Sequence, residues 1–425
     1  MFQENAWLAI GIFVLAYILI ITEKIHRTKI ALSGAVLLLL CKVMPQAAGI
    51  AKVDFNTLGL LIGMMIIVAI ARQTGIFQYL AVKAAKMVQG EPVKIMLVFF
   101  ALTAIASAFL DNVTTVLLLT GVTFAITDIL EINPIPFLIG EVLASNIGGT
   151  ATLIGDPPNI MIGSAAGLGF NDFIINLALP NILIGMVTCW LLYLIYRKEL
   201  RVEPEKRRKV MALDEQEFLT DTVLLRKSLA VLALVIAGFV LHQALHFESA
   251  TVAMAGAAVL LLISGQEPAD IFQEVEWNTI FFFIGLFILV GGLEVTGVIK
   301  VIAQWALEVT KGNMLAMNFL VLWVSAFASA FIDNIPFVAT MIPLIKSMAQ
   351  ISSVDVSSLW WALSMGACLG GNGTIIGASA NVVVSSLAAA HGRPISFAAY
   401  FKIAFPLMLV SILMSNVYIY FAYLR

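Results

Sequence analysis

Charge is what this chain has least of. Only 12% of its 425 residues are Asp, Glu, Lys or Arg, about half the share of a typical soluble domain. Another 61% are hydrophobic, so there is too little polar surface to cover a water-exposed core, and the composition places the chain in lipid. Cysteine is scarce too. Cys41, Cys189 and Cys368 are scattered, with no CxxC pair and no Cys/His cluster, which argues against a disulfide framework or a metal site. HExxH, GxSxG and P-loop motifs are all missing, so neither an enzyme nor a resident cofactor is expected. The net charge of −2 singles out no partner, and none made of nucleic acid is expected.

What the chain does have is long apolar runs and a repeat. Several runs approach the roughly 20 helical residues that cross a hydrocarbon core. The first, 7–22, lacks a small-residue cleavage site and reads as a retained helix, not a signal peptide. The segment ASAFLDN at 106–112 returns as ASAFIDN at 328–334, a spacing of 222 (328 − 106). The same spacing joins Asn56-Thr57 to Asn278-Thr279, Thr74-Gly75 to Thr296-Gly297, and Gly148-Gly149 to Gly370-Gly371. It also joins Gly34 to Gly256 and Asn159 to Asn381. The chain is therefore a tandem duplication: a transmembrane repeat over 1–196, a charged linker over 197–227 and a second repeat over 228–425. In a membrane protein that plan is typical of secondary transporters.

Each repeat reads as three helices, a short amphipathic piece, an interrupted apolar stretch, a broken helix and a final helix. In the first half these fall near 7–22, 30–45, 57–72, 75–88, 93–130, 135 onward and 174–196. The interrupted stretch has arms of about 17 residues, short for a full span, and they fit either two crossings or one re-entrant hairpin. If a hairpin, each repeat crosses five times, and the odd number forces the second repeat to lie inverted. The expected fold is then an all-α polytopic membrane protein of two inverted repeats, each with a re-entrant hairpin and a discontinuous helix, about 10 spans plus two hairpins. The linker carries nine Lys/Arg, including Lys206-Arg207-Arg208-Lys209, which assigns it to the cytoplasm. Counting outward puts 18 of the 24 Lys/Arg on that side and both termini on the other. A bacterial or archaeal cytoplasmic membrane is the expected setting.

Irregular backbone at membrane depth survives only when buried or lining a watery cavity. The apolar runs are interrupted at four related places: Asp111–Thr115, Gly148–Asn159, Asp333–Pro336 and Gly370–Asn381. Half-helix ends meeting there would expose N–H groups to oxygens and C=O groups to cations. Asp111 and Asp333 stand out, because an Asp at a helix centre costs roughly 3 kcal/mol even on a lenient scale. They fit proton carriage, sodium ligation or hairpin capping alike. Asn112 and Asn334 follow them with donors and an acceptor each. Thr114, Thr115, Thr150, Thr152 and Thr374 add hydroxyls, and Asn159, Asn372 and Asn381 add amides. Gly148, Gly149, Gly370 and Gly371 complete the candidate solute site, with Asp156 as a third coupling carboxylate. Asn146 and Asp156 have no polar equivalents in the second half, where Cys368 and Ala378 stand. Cys368 would suit a thiophilic solute but reads more simply as a small buried residue. Glu141 is open between a relay group and a residue near the membrane surface, and Arg72 and Glu294 read as helix-end markers. His242, His246 and His391 look unremarkable in loops. No Arg or Lys lies in any break, which favours a cation or a small neutral solute rich in hydroxyls.

At the breaks the sequence resembles the ion transporter superfamily. Ile147–Asn159, IGGTATLIGDPPN, is similar to the unwound loop of the divalent-anion/sodium symporters, and Asp111-Asn112-Val113 and Asp333-Asn334-Ile335 fall where those carry Ser-Asn-Thr. The resemblance implies inverted repeats, a solute held between hairpin tips and unwound loops, and elevator-like movement. Asp in place of Ser, and Val113 and Ile335 in place of Thr, resemble instead the arsenite/antimonite permeases, the melanosomal P-protein relatives and the NhaD-type sodium/proton antiporters. Within that group the expected function is proton-driven efflux of arsenite or antimonite, since arsenite near neutral pH is the uncharged triol As(OH)3. A sodium/proton antiporter and a P-protein-like anion carrier or channel are the alternatives. A soluble ATPase docking on the linker, and a homodimer, are further partners to test.

Overall fold

The computed structural model describes residues 5–22, 24–352 and 355–425, and among these it is helical with no strand. The first half runs α1 (Ala6–Thr22), α2 (Arg27–Leu40), α3 (Gln46–Ala51), α4 (Phe55–Arg72), α5 (Ile76–Met87), α6 (Pro92–Ser107), α7 (Asn112–Leu130), α8 (Ile135–Thr150) and α9 (Pro157–Ala166). It closes with α10 (Phe170–Phe173), which passes through a π turn into α11 (Leu179–Tyr196). The short α12 (Pro204–Met211) follows. The second half runs α13 (Thr222–Leu241), α14 (Ser249–Ser264), α15 (Pro268–Gln273), α16 (Trp277–Val295), α17 (Val298–Thr310), α18 (Met314–Phe331), α19 (Asn334–Ser352), α20 (Ser357–Gly370), α21 (Ser379–Ala390) and α22 (Phe397–Ile419). Eight helices among the described residues are long and apolar enough to cross a membrane, and four apolar ones are shorter.

Local chemistry sets the helix starts. Asp54 caps α4 by accepting from the Asn56 and Thr57 amides at 3.0 and 3.2 Å, and Asn313 caps α18. Proline opens α6, α9 and α15, where the missing N–H has no helical partner to lose. The repeated Thr-Gly has a backbone cause. Gly75 and Gly297 precede α5 and α17 in the left-handed region, at φ +74° and +80°, where a side chain is strained. Arg72 ends α4 and Glu294 lies in the last turn of α16.

The halves interlock reciprocally. Helix α2 packs on α16, and α4 packs on α14, the pair obtained by moving each partner 222 residues. Likewise α9 packs on α19 and α21 on α7. Single residues obey the same exchange. A Cβ on Gly63 would sit 2.7 Å from the Ala253 backbone, and one on Gly285 would sit 2.6 Å from the Ala31 backbone. Lys52 Nζ meets Glu294 at 2.9 Å, while Arg72 meets Glu274, the equivalent positions with the charges exchanged. Such reciprocity is the mark of a two-fold relation between partners.

One expected break is displaced. The sequence reading interrupts the broken helix at Gly148-Gly149, but α8 runs on through both to Thr150. These glycines serve approach, not unwinding. A Cβ on Gly148 would lie 2.0 Å from the Ala104 carbonyl oxygen, and one on Gly149 would lie 2.6 Å from that of Gly155. A Cβ on Gly370 would lie 2.6 Å from the Ala326 backbone, and a 3₁₀ turn over Gly371–Gly373 follows it. The linker is also structured: Lys206 pairs with Glu131 at 2.6 Å, Lys86 pairs with Glu215, and the Arg207 side chain donates to the Gln89 carbonyl.

Candidate functional site

Each half builds one tip and one break. In the first half α6 ends at Ser107, the chain turns, and Asp111 caps α7 by accepting from the Thr114 amide at 2.8 Å. Thr115 Oγ1 donates back to the Asp111 carbonyl at 2.9 Å. The break between α8 and α9 is tied by Asn159, whose amide donates to the carbonyls of Thr150 and Thr152 at 3.0 and 2.9 Å. Thr152 Oγ1 donates to the Ala108 carbonyl, fastening break to tip. The second half repeats this. Asp333 accepts from the Ile335 amide at 3.0 Å, Asn381 donates to the carbonyls of Gly371 and Thr374 at 2.7 and 2.8 Å, and Thr374 donates to the Ala330 carbonyl. These carbonyls are the ones that a broken helix leaves without partners.

The two units then meet. Asn112 Nδ2 donates to Asn146 Oδ1 at 3.2 Å and to Asp156 Oδ1 at 3.4 Å. Asn334, from the other tip, donates to the same Asp156 carboxylate at 3.4 and 3.3 Å. Asn146 Nδ2 crosses to Asn372 Oδ1 at 2.8 Å and Asn381 Oδ1 at 3.1 Å. The result is a chain of five carboxamides and one carboxylate running between the halves, every member buried. Asn146 and Asp156 are the crossing residues. Their equivalents, Cys368 and Ala378, are small and buried, so the crossing polar arms come from the first half alone. Cys368 Sγ lies 3.7 Å from Asn159 Oδ1, which also accepts from Ser364 at 2.6 Å.

Of the residues singled out by sequence, Asn112, Asn159, Asn334, Asn372, Asn381 and Asp156 come together here. Asp111 and Asp333 sit at the tips beside the cluster, half-buried, and both cap their helices. Thr115, Thr150 and Thr374 turn their hydroxyls to backbone carbonyls. Thr114 contributes its amide to Asp111, and Gly148, Gly149, Gly370 and Gly371 lie in the close packing beneath.

Sequence reasoning missed Arg27. It lies outside every break, yet its guanidinium reaches Asp333 Oδ2 at 2.6 Å and Ser379 Oγ at 2.8 Å, above the Phe282 ring at 4.9 Å. Ser379 donates to the same carboxylate at 2.9 Å. Positive charge therefore does reach the site, carried in by the first turn of α2. The repeat gave no warning, because the equivalent of Arg27 is Ser249. Glu141 proves wholly buried, accepting from Thr123 and Thr120 of α7. His391 stacks on Phe124 with centroids 4.1 Å apart and pairs with Asp128 at 3.1 Å.

The model of the CitMHS family, described as citrate transporter, matches residues 17–366. The chain belongs to this citrate transporter family. It is thus a membrane transporter of the ion transporter superfamily and not an enzyme. An uncharacterized transporter of Mycobacterium tuberculosis is 44% identical over 421 residues, covering 98% of both chains. The 46 kDa membrane protein of Mycobacterium leprae is 42% identical over 98% of this chain. The human P protein is 35% identical over 99% of this chain, which matches 60% of that longer protein. Among solved structures, the Alcanivorax borkumensis YdaH transporter aligns over 98% of both chains with TM-score 0.61 at 13% identity. The Neisseria gonorrhoeae antimetabolite efflux pump MtrF aligns over 99% of this chain with TM-score 0.63 at 10% identity. At those identities the two structures speak for the fold alone.

Proposed function

We propose that this transporter is a proton-coupled secondary carrier that exports arsenite or antimonite, with Asp156 as the group that takes and gives the coupling proton. The observation that carries the reading is the Asp156 carboxylate held by Asn112 of one tip and Asn334 of the other. A proton there changes what both tips bind at once, which is what coupling requires. The surrounding amides offer donors and acceptors to an uncharged triol, and the Cys368 thiol stands in the same buried cluster as a ligand for a thiophilic element. Asp111 and Asp333 act as tip carboxylates beside it.

The reciprocal packing supports two repeats inverted in the membrane, 1–196 and 228–425, with the tips as re-entrant hairpins. In this reading the linker faces the cytoplasm and both termini face outward. A soluble ATPase docking on the linker, and a homodimer, are compatible with it.

Arg27 favours a second reading. When Asp333 is neutralised, the guanidinium is freed for an anion, and a small carboxylate then becomes a solute; the family description names citrate. A sodium/proton exchanger is the third. Proteoliposomes with an internal pH dye separate the three. Arsenite-evoked proton movement, abolished in Asp156→Asn, supports the first reading. Movement evoked by citrate or by sodium, with arsenite silent, overturns it in favour of the corresponding alternative.

A further inference from the structure

A large cavity lies apart from the amide cluster, on the membrane-facing side of the first half between α6, α8 and α11. It encloses about 770 Å3, within the 300–1,000 Å3 common for ligand pockets. Its walls are apolar, with Ile105, Ile182, Met186 and Trp190 each more than half exposed at its rim. Its floor is Ala108 and Phe109 of the first tip and Gly148, Ala151 and Thr152 of the first break.

The same place in the second half is full. Moving 222 residues turns Ala101 into Trp323, Ile105 into Phe327, Ala178 into Tyr400 and Gly185 into Leu407. Trp323 stacks on Phe327 at 5.8 Å, and both Phe327 and Phe331 pack on Phe405 at 6.4 Å. Trp323 Nε1 is fixed by Asn416 at 3.1 Å, and Tyr400 donates to the Asn372 carbonyl at 3.2 Å. Where one half uses its own rings, the other leaves a void in a wall that faces hydrocarbon.

We propose that this groove is a phospholipid site, one acyl chain lying against α6 and α11 and an anionic head at the linker end. The charge at that end supports this occupant. Arg197 sits over the Tyr193 ring at 5.8 Å, and Tyr193 lines the groove. Arg197 and Lys198 are exposed, and neither makes an ion pair among the described residues. Lys94, one turn before the groove residue Leu97, is exposed as well, with Glu91 beside it. Basic groups at the end of an apolar slot, with Trp190 and Tyr193 between, match a phosphate head above its tail. The tail then packs on both the tip and the break of the first half, the surfaces that Phe331 and Phe405 support in the second.

The test is native mass spectrometry of the detergent-purified full chain, exchanged against phosphatidylglycerol or phosphatidylethanolamine. The double variant Ala101→Trp/Gly185→Leu installs the second half's residues. A Cβ on Gly185 meets nothing closer than 3.6 Å, so the site accepts it. Wild type is expected to retain phosphatidylglycerol, and the filled variant to lose it about tenfold or more. Arg197→Gln/Lys198→Gln, two exposed changes that leave the fold alone, is expected to erase the preference for phosphatidylglycerol over phosphatidylethanolamine. Equal retention by wild type and the filled variant overturns the proposal. So does a wild-type dimer that the filled variant converts to monomer, since a second copy would then be what covers the groove.

Discussion

Asp156 accepts hydrogen bonds from Asn334, 178 residues away in the opposite half, at 3.3 and 3.4 Å. Because Asn112 donates to the same carboxylate, a single side chain of the first break ties the tips of both halves. Asp156→Asn keeps the shape and a carbonyl acceptor for both tips. Stability in detergent is therefore expected to change by less than about 1 kcal/mol, while solute-evoked proton movement falls to background. A melting curve and a liposome flux assay read the two separately.

Asn146→Ala should act the other way. It removes the donor that Asn372 and Asn381 share, leaving buried oxygens unsatisfied at a cost of about 1–3 kcal/mol. A lowered melting temperature checks this. An unchanged one would mean that water takes over the bonds.

Arg27→Gln leaves the Asp333 carboxylate with Ser379 and one backbone amide. The pair is mostly shielded, with side chains 27% and 13% exposed. Allowing for that exposure, the loss is expected at about 1–3 kcal/mol. Adding Asp333→Asn should recover much of it, and a double-mutant cycle on thermal stability measures the coupling.

Glycine spacing between the halves is testable without touching the polar cluster. Gly63→Ala drives a methyl into the Ala253 backbone and is expected to cost about 1–3 kcal/mol by overpacking. Gly121→Ala, where nothing lies within 4 Å, should be neutral or slightly stabilising through helix propensity. Similar shifts for both substitutions would contradict the close approach of α4 and α14.

The linker contacts should respond to acid and salt. Lys206 holds the Glu131 carboxyl below the usual range, and Lys86 does the same for Glu215. A depressed carboxyl contributes its tie above the ordinary Glu pKa of about 4.3 and loses it as pH falls through the lower folded value. Below about pH 4, or in high salt, amide exchange over Pro204–Met211 is expected to accelerate, and it should hold steady between pH 6 and 8.

Much of this was legible in the chain. The repeated ASAF-Asp-Asn fixed the tips, and the Gly-Asp-Pro-Pro run located the break, because both need backbone that a continuous helix cannot supply. Apart from Asn146, which lies in α8 just before the break, the polar residues gathered at Asp156 came from the tips and breaks. Gly148-Gly149 misled, since a glycine pair signals unwinding and close packing alike, and the choice depends on the neighbouring Ala104 backbone. Arg27 was invisible for a different reason. It enters from a helix start whose equivalent, Ser249, carries no charge, so neither motif nor repeat pointed to it, and the absence of Arg and Lys from the breaks did not describe everything that reaches the tips.

The exchanged ion pairs carry one more consequence. The first half is basic at both positions, Lys52 and Arg72, and the second is acidic at both, Glu274 and Glu294. A first half folded against another copy of itself would set Lys52 against Arg72 twice over, and a second half doing the same would oppose Glu274 to Glu294. The mixed pairing alone brings opposite charges together at both places. Two halves that share a fold are thereby labelled as different, so that while the chain assembles each has one favoured mate and its own likeness is the wrong one.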